Sequence, residues 1–404
     1  MWRALRPASP LLRQEAVPLM KYLTFTGLTE DQQAIVDAVH EFCEEELCPK
    51  AQQTDEAGCW PGENVAKLGQ LDLMGLPVPE EYGGLGMDFV TWAAVGEELS
   101  RACTTTGAVY GAHMLAVYPI MAFGTEEQKE KYLRPLSTGE HIGAFGLTEP
   151  NAGSDAAAVA TRAVKDGDHY ILNGTKIFIT NGGEAQTYVI ITNIDPSKGV
   201  RGLTAFVVEK GTPGFEFGKN EKKMAYSSLP NRELIFTDCR VPKENLLGRE
   251  GGGFRVAMHT LGVGRIGMAT GAVGLARAAL EAAVPYAKQR HQFGKPISSF
   301  QAIQFMLADM ATELDAARLL TLRAAWMKDN NMPFEREAAM AKLYASEAAM
   351  RITTKAVQIF GGYGYTRDFP VERYMREAKL FEIVEGTSEI QRGVIANHVI
   401  RSLS

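Results

Sequence analysis

The order of hydrophobic patterns along this 404-residue chain predicts an α+β protein in three parts. An N-terminal α-helical domain (27–142) is followed by a middle antiparallel β-barrel domain (143–252) and a C-terminal four-helix-bundle domain (253–404). Three observations carry this prediction. Apolar residues recur at helical spacing as far as about Leu136. From Gly143 they concentrate in short β-rich runs separated by glycine, asparagine and aspartate. From Gly253 onward the helical spacing returns in long stretches.

Residues 1–26 are set apart as an N-terminal extension. The opening "MWRALRPASPLLRQEAVPL" carries Arg3, Arg6 and Arg13, has no acid before Glu15 and stops just before Met20, so it reads as a transit-like segment or an upstream start. The first helix opens at "TEDQ", where Thr29 and Gln32 stand at capping-box spacing, and Ile35, Val36, Val39, Phe42 and Leu47 follow on one face before Pro49. More helical stretches follow, broken at "VPEEYGGLG". The runs "HYILNGTKIFIT", "TYVIITNI", "GLTAFVVEKG" and "RELIFTDCRVP" predict strands of one compact sheet or barrel. Beyond Gly253, the residues Phe300, Ile303, Leu307, Met310, Leu314 and Leu320 form one stripe. Similar patterns follow Glu335 and Val371, and long helices with short connections make a bundle.

Composition narrows the function classes. With 42 basic and 48 acidic residues the net charge is -6, and the one dense basic tract, "KNEKK" at Lys219 to Lys223, reads as a solvated loop, which argues against nucleic acid. No apolar run approaches the roughly 18 residues of a membrane span. Cys43, Cys48, Cys59, Cys103 and Cys239 are scattered without a C-x-x-C or a Cys/His cluster, so neither a metal site nor a disulfide framework is suggested and a reducing compartment fits.

The stretch "GVGRIG", Gly262 to Gly267, has the G-x-G-x-x-G spacing of dinucleotide-binding turns. That fingerprint requires a strand before it and a second strand ending in an acid about twenty residues on. Here no alternation precedes it, and Glu281 falls inside an alanine-rich helical pattern. The glycines therefore predict a helix passing close to something bulky, and NAD is not implied.

Four stretches carry chemistry: "GLTEPNAGSD" (Gly146 to Asp155), "KIFITNGG" (Lys176 to Gly183), "RHQFGKPI" (Arg290 to Ile297) with "QIFGGYGYTRD" (Gln358 to Asp368), and "EGTSEIQRG" (Glu385 to Gly393). The first gathers backbone amides and the hydroxyls of Thr148 and Ser154 in a glycine-permitted turn, a set of donors suited to an electron-rich ring edge and phosphates. Alone it is also an ordinary Pro-Asn-Gly turn. Arg290 alone is equally a helix C-terminal cation. A lone glutamate before a glycine is more often surface structure than catalyst. Phe381, Ile383 and Val384 precede Glu385, an apolar surround that raises a carboxyl pKa; a helix starting nearby, with Ser388 and Gln391 at capping-box spacing, acts in the opposite direction.

Together, in this order, the four stretches resemble the acyl-CoA dehydrogenase family from about Gly27 to the C-terminus. The resemblance implies FAD as cofactor, contacted by Phe145, Leu147, Thr148, Gly153, Ser154, Phe178, Thr180, Arg290, Gln292, Phe293, Gln358, Gly361, Gly362, Thr387 and Glu389. Arg290, Gln292 and Phe293 match positions that reach the cofactor of a neighbouring subunit, which implies a homo-oligomer, a tetramer built as a dimer of dimers. Acyl-CoA is the implied substrate, contacted by Ser154, Arg265, Val384 and Gly386, and Glu385 is the implied catalytic base. Its backbone amide and a ribityl hydroxyl of FAD are expected to hold the thioester oxygen. The implied reaction gives a trans-2-enoyl-CoA from a short or branched acyl-CoA, with electrons passed to electron-transfer flavoprotein. The implied compartment is the bacterial cytoplasm, or alternatively the mitochondrial matrix.

Some positions depart from the family pattern. Gly264 stands where isovaleryl-type members carry their base, and Gly262 where many short-chain members have aspartate. Val384 replaces a frequent tyrosine, so a wider acyl pocket is expected. Thr106 stands where glutaryl-type members place an arginine, which disfavours a second carboxylate; Tyr110 and His113 nearby read as helix-packed residues, or as partners for a polar group. An enoyl-CoA reductase working in the reverse direction, a dehydrogenase for a bulkier cyclic or aromatic acyl group, and a non-catalytic acyl-CoA-binding flavoprotein are the alternative readings.

Overall fold

A computed structural model describes residues 27–402; the expected N-terminal extension, 1–26, lies outside them. The described chain packs as two compact units. One comprises Gln53–Trp92 and Thr105–Gly264; the other comprises the described chain up to Gln52, Ala93–Thr104 and the chain from Arg265 onward.

The N-terminal helices are α1 (Glu30–Phe42), α2 (Ala51–Ala57), α3 (Gly62–Gln70), α4 (Phe89–Ala102), α5 (Thr104–Phe123) and α6 (Glu126–Ser137). The capping box at α1 forms as its sequence predicts: the Thr29 hydroxyl accepts the Gln32 N–H, and the Gln32 side chain accepts the Thr29 N–H. Pro49 does not stop the helical path. A π turn at Cys43–Leu47 and a 3-10 turn at Cys48–Lys50 absorb it, because proline in a first turn has no N–H to lose. The expectation about membrane-length segments is corrected by α5, whose 20 residues reach a mean hydropathy of 1.2 over an 18-residue window. That window is 67% buried within the protein, which is how a core helix meets a composition test.

The sheet is built from β1 (Gly143–Gly146), β2 (Arg162–Asp166), β3 (His169–Thr180), β4 (Thr187–Asn193), β5 (Leu203–Glu209), β6 (Phe215–Asn220), β7 (Asn231–Pro242) and β8 (Leu246–Leu247). Its order is β6-β7-β3-β2-β4-β5-β8, with β1 beside β4. Hairpin neighbours are antiparallel as expected, but β1 and β2 each meet β4 in parallel. Central β4 is buried along its whole length, in keeping with cover on both faces. In the same unit α5 lies so close to β1 that a Cβ on Gly143 would stand 2.6 Å from that of Ala116, so glycine is required there.

The long helix α7 (Gly253–Gln289) contains Gly262 to Gly267 and Glu281, so the glycine fingerprint is helical and no dinucleotide turn forms. A short hairpin of β9 (His291–Gln292) and β10 (Lys295–Pro296) follows, then α8 (Gln301–Asp329), α9 (Glu335–Phe360), α10 (Val371–Phe381) and α11 (Ser388–Ser402). Helix α9 is central, packing against α8, α10 and α11. Of the predicted stripe only Met310 and Leu314 are buried; Phe300, Ile303, Leu307 and Leu320 are half-buried, and Phe305, Leu319 and Trp326 on α8 are exposed.

A buried ion network ties α4, α7 and α8 together. Arg277 donates to Glu281 at 2.8 Å, to Glu97 at 3.2 Å and to Glu98, while Arg318 reaches Glu97 at 2.7 Å. Arg101 bonds Glu98 at 2.9 Å and Glu44 at 2.8 Å. Burial works to raise the Glu98 carboxyl, but Arg277, His40 and Arg101 hold it well below the usual range. Gly274 permits the close approach, since a Cβ there would lie 2.4 Å from the Glu97 carbonyl oxygen. Removing one partner leaves buried carboxylates unmatched, so Arg277→Met should lower stability by about 3–5 kcal/mol. Urea unfolding of the purified protein measures this, and a midpoint equal to wild type would contradict it.

Candidate active site

The sheet-containing unit presents the first group of predicted residues. Strand β1 carries half-buried Phe145 and leads into the loop of buried Leu147, half-buried Thr148 and exposed Gly153 and Ser154. Glu149 and Ala152 exchange both backbone hydrogen bonds at 3.1 Å, closing a tight turn over Pro150 and Asn151. The Glu149 carboxylate turns inward. It accepts the amides of Ala160 (2.7 Å) and Thr161 (2.9 Å) and the ammonium of Lys176 (2.6 Å), which also donates to the Leu147 carbonyl at 3.1 Å. Burial pulls Lys176 down to about 8 although Glu149 works to raise it. This buried pair pins the loop to β3.

Beyond Lys176 the register of β3 against β7 shifts by one residue. The bulge puts Phe178 at φ 57° with its ring 59% exposed, and the Asn231 amide donates to its carbonyl at 3.0 Å. Thr180 is half-buried just beyond. This surface offers an aromatic face, hydroxyl donors and exposed glycine backbone.

In the helical unit a cleft of about 590 Å³ is lined by Tyr286, Arg290, Gln292, Phe360, Gly361 and Gly362. Gly361 has φ 60°, and a Cβ on Gly361 or Gly362 meets nothing within 4 Å, so both lay bare backbone towards open space. The Gln358 side chain is exposed, and its carbonyl accepts the Gly361 N–H. Arg290 lies over the Tyr363 ring at 5.7 Å. The two-residue turn between β9 and β10 has φ 54° at Phe293 and 76° at Gly294, the positive pair a tight hairpin turn demands, and it leaves Phe293 92% exposed.

Glu385 follows α10 in a left-handed conformation, φ 54°, with Gly386 at 96°. Its Oε2 is shielded from solvent and has no hydrogen-bond partner. Burial pushes the carboxyl up to about 7, against the pull of Lys342 and Arg265. Upward is thus the direction that wins, and the opposing force comes from two buried cations. Arg265 is buried on α7, with its Nε unpartnered. Lys342, fully buried on α9, donates to the Gly386 carbonyl at 2.7 Å. The cap of α11 sits one residue earlier than expected: the Thr387 hydroxyl accepts the Ile390 N–H, while the Gln391 amide donates to the carbonyls of Glu385 (3.1 Å) and Gly386 (2.9 Å). Glu389 is exposed and Val384 half-buried.

Tyr110 and His113 are buried, and the Tyr110 hydroxyl and His113 Nε2 have no hydrogen-bond partner. Tyr110 stacks on Trp92 at 5.7 Å, and His113 Nδ1 accepts the Gly143 N–H at 3.0 Å; burial lowers its pKa to about 4, so it is neutral at pH 7. The Thr106 hydroxyl accepts from Asn64 at 3.1 Å. Gly262 and Gly264 are buried in α7. Sequence reasoning missed Glu149, Lys176 and Lys342, and read Gln391 only as the capping partner of Ser388. Glu149, Lys176 and Gln391 lie inside quoted motifs, so position was the available signal; Lys342 acts through a backbone carbonyl that no motif spacing reveals.

Comparison with known proteins agrees across the chain. Family models described as the N-terminal, middle and C-terminal domains of acyl-CoA dehydrogenase match residues 29–140, 144–239 and 251–400. The chain is 50% identical over 376 residues to the short-chain specific acyl-CoA dehydrogenase of Clostridium acetobutylicum, covering 93% of this chain and 99% of that protein. It superposes on butyryl-CoA dehydrogenase from Megasphaera elsdenii with a TM-score of 0.91 at 48% identity, covering 92% of this chain and 99% of the other. A chain solved in work on the electron transferring flavoprotein of Acidaminococcus fermentans gives a TM-score of 0.92 at 54% identity, covering 93% and 99%. Three matched domains, together with a relative 50% identical over 93% of the chain, mean that this chain belongs to the acyl-CoA dehydrogenase family.

Proposed function

We propose that the protein is an FAD-dependent dehydrogenase of short-chain acyl-CoA thioesters that delivers its electrons to electron-transfer flavoprotein. The single observation that supports this reading best is that Oε2 of half-buried Glu385 is shielded from solvent and has no hydrogen-bond partner, an environment that pushes the carboxyl up to about 7. An α-proton next to a thioester is weakly acidic, and a carboxylate titrating near the working pH is a suitable base for it. Glu385 takes that proton, the electron pair it leaves forms the Cα=Cβ bond, and the product is the trans-2-enoyl-CoA. The Glu385 amide is our candidate donor to the thioester oxygen. Arg265 balances charge beside the base, and Ser154, Val384 and Gly386 are assigned to the acyl-CoA.

The residues present fit FAD. Gly361 and Gly362 expose backbone that a side chain would cover, Phe178 and Phe293 offer rings to solvent, and Thr148 and Ser154 supply hydroxyls. Phe145, Leu147, Gly153, Thr180, Arg290, Gln292, Gln358, Thr387 and Glu389 complete the proposed set. When bound, FAD supplies the acceptor for the β-hydrogen, which leaves as hydride. Exposure of Phe293, and of Phe305, Leu319 and Trp326 on α8, supports self-association, for which a homotetramer is our reading. The free cysteines fit a reducing compartment; the Clostridium relative supports the bacterial cytoplasm, with the mitochondrial matrix of the rat relative as the alternative. Val384 favours a second reading in which branched acyl groups are also accepted.

Three outcomes test this. Glu385→Gln should keep the visible flavin band yet slow its bleaching by butanoyl-CoA about 10²–10⁴-fold; wild-type bleaching would remove the base. Because only ionised Glu385 can accept the proton, the bleaching rate should plateau above pH 7 and fall about tenfold per unit below it. A rapid-mixing pH series checks the limb. Turnover of 2-methylbutanoyl-CoA should lie within about tenfold of butanoyl-CoA, the scale of one well-tolerated methylene; a far larger preference for the straight chain would rule out the wider pocket.

A further inference from the structure

Lys342 is 0% exposed in the middle of α9. An ammonium taken out of water is costly unless a counter-charge and hydrogen bonds compensate it. Its direct bond is to the Gly386 carbonyl at 2.7 Å, in the residue immediately after the base. The same carbonyl accepts from Gln391 on α11 at 2.9 Å, and Gln391 also holds the Glu385 carbonyl at 3.1 Å. Two donors from two helices therefore grip a stretch in which Glu385 and Gly386 both have positive φ, 54° and 96°. A glutamate there is strained and stays only if its surroundings over-determine it.

The charges around the base are few. Lys342 from α9 and Arg265 from α7 act on Glu385, with Lys342 the stronger. Arg265, Glu382 and Glu389 act in turn on Lys342, and Glu335 acts on Arg265. Lys342 thus combines two roles that Arg265 does not: a backbone contact beside the base and the larger opposing effect on its carboxyl.

We infer that Lys342 is a positioning residue for Glu385: it anchors the Gly386 carbonyl to hold the left-handed turn, and its positive charge favours the ionised base. This rests on Glu385 being the base. With the ammonium gone, the carboxyl loses its main stabilising cation, and the proton is held to higher pH. The acid limb therefore moves upward.

The test uses the flavin-loaded protein carrying Lys342→Met or Lys342→Gln, of which Gln can still donate to Gly386. Two readouts are taken: the pH dependence of flavin bleaching by butanoyl-CoA in a single turnover, and an infrared titration of the carboxyl band that disappears in Glu385→Gln. Both midpoints should rise by about one pH unit in each variant, slowing bleaching about fivefold at pH 7 and about tenfold well below it. The limiting rate should fall more than the half-saturating concentration changes. Well above the limb, Lys342→Gln should outrun Lys342→Met; equal rates would remove the anchoring role. If Lys342→Met fails to fold, the midpoint of Lys342→Gln decides. Midpoints equal to wild type would overturn the inference while Glu385→Gln remains inactive, whereas a Glu385→Gln protein that still bleaches would instead overturn the assignment of the base.

Discussion

Pairing of Glu97 and Glu98 with Arg277, Arg318 and Arg101 constrains the helical unit, because a buried charge parted from its partner is left uncompensated. Helix α7 is locked along its axis by Arg277 against α4 and by Gly274 against the Glu97 carbonyl. Twelve residues earlier on the same helix, about 18 Å at 1.5 Å per residue, stands Arg265, the weaker of the two cations that act on Glu385. The electrostatics of the proposed base therefore depend on a network that makes no contact with it. The contrast between the two places is chemical. Glu98 is bonded directly and held ionised, while Glu385 has cations near it and no partner on Oε2, which leaves its proton exchangeable near neutrality.

Much of the fold was legible because its signals are local. The capping box at Thr29, the strand runs from His169 to Pro242 and the helical identity of Gly262 to Gly267 all follow from neighbours within a few residues. Pairings that are distant in sequence were not legible. The parallel contacts of β1 and β2 with β4 leave no hairpin turn to read, and short β1, β2, β6 and β8 lack a long alternating pattern. The site divides in the same way. Glu385, Phe178 and Gly361 lie in distinctive motifs, whereas Lys342 sits in "AKLYASEAAM", where a lysine on an alanine-rich helix reads as a solvated side chain. Only the fold shows that it is buried and what it bonds.

Backbone strain has an uneven distribution. Among the described residues with positive φ other than glycine, asparagine and aspartate, Phe178, Phe293 and Glu385 are all proposed site residues, and Tyr226 is the remaining one. Side chains that must point away from their element's natural face are presented by turning the main chain. A bulge does this for Phe178, a two-residue hairpin for Phe293, and a doubly gripped turn for Glu385. Each costs stability locally and is held by hydrogen bonds or tight pairing nearby.

The bulge in β3 also bears on how this segment can change over generations. Side chains on a strand alternate faces with a period of two, so one extra residue between Lys176 and Ile179 inverts the facing of everything beyond it. Deleting a single residue there would exchange buried Ile179 with exposed Phe178 and reverse Thr180 as well. Replacement of one aromatic by another leaves that geometry intact. Drift in this strand is therefore free to alter residue identity far more readily than residue number, and its length is the more tightly inherited property.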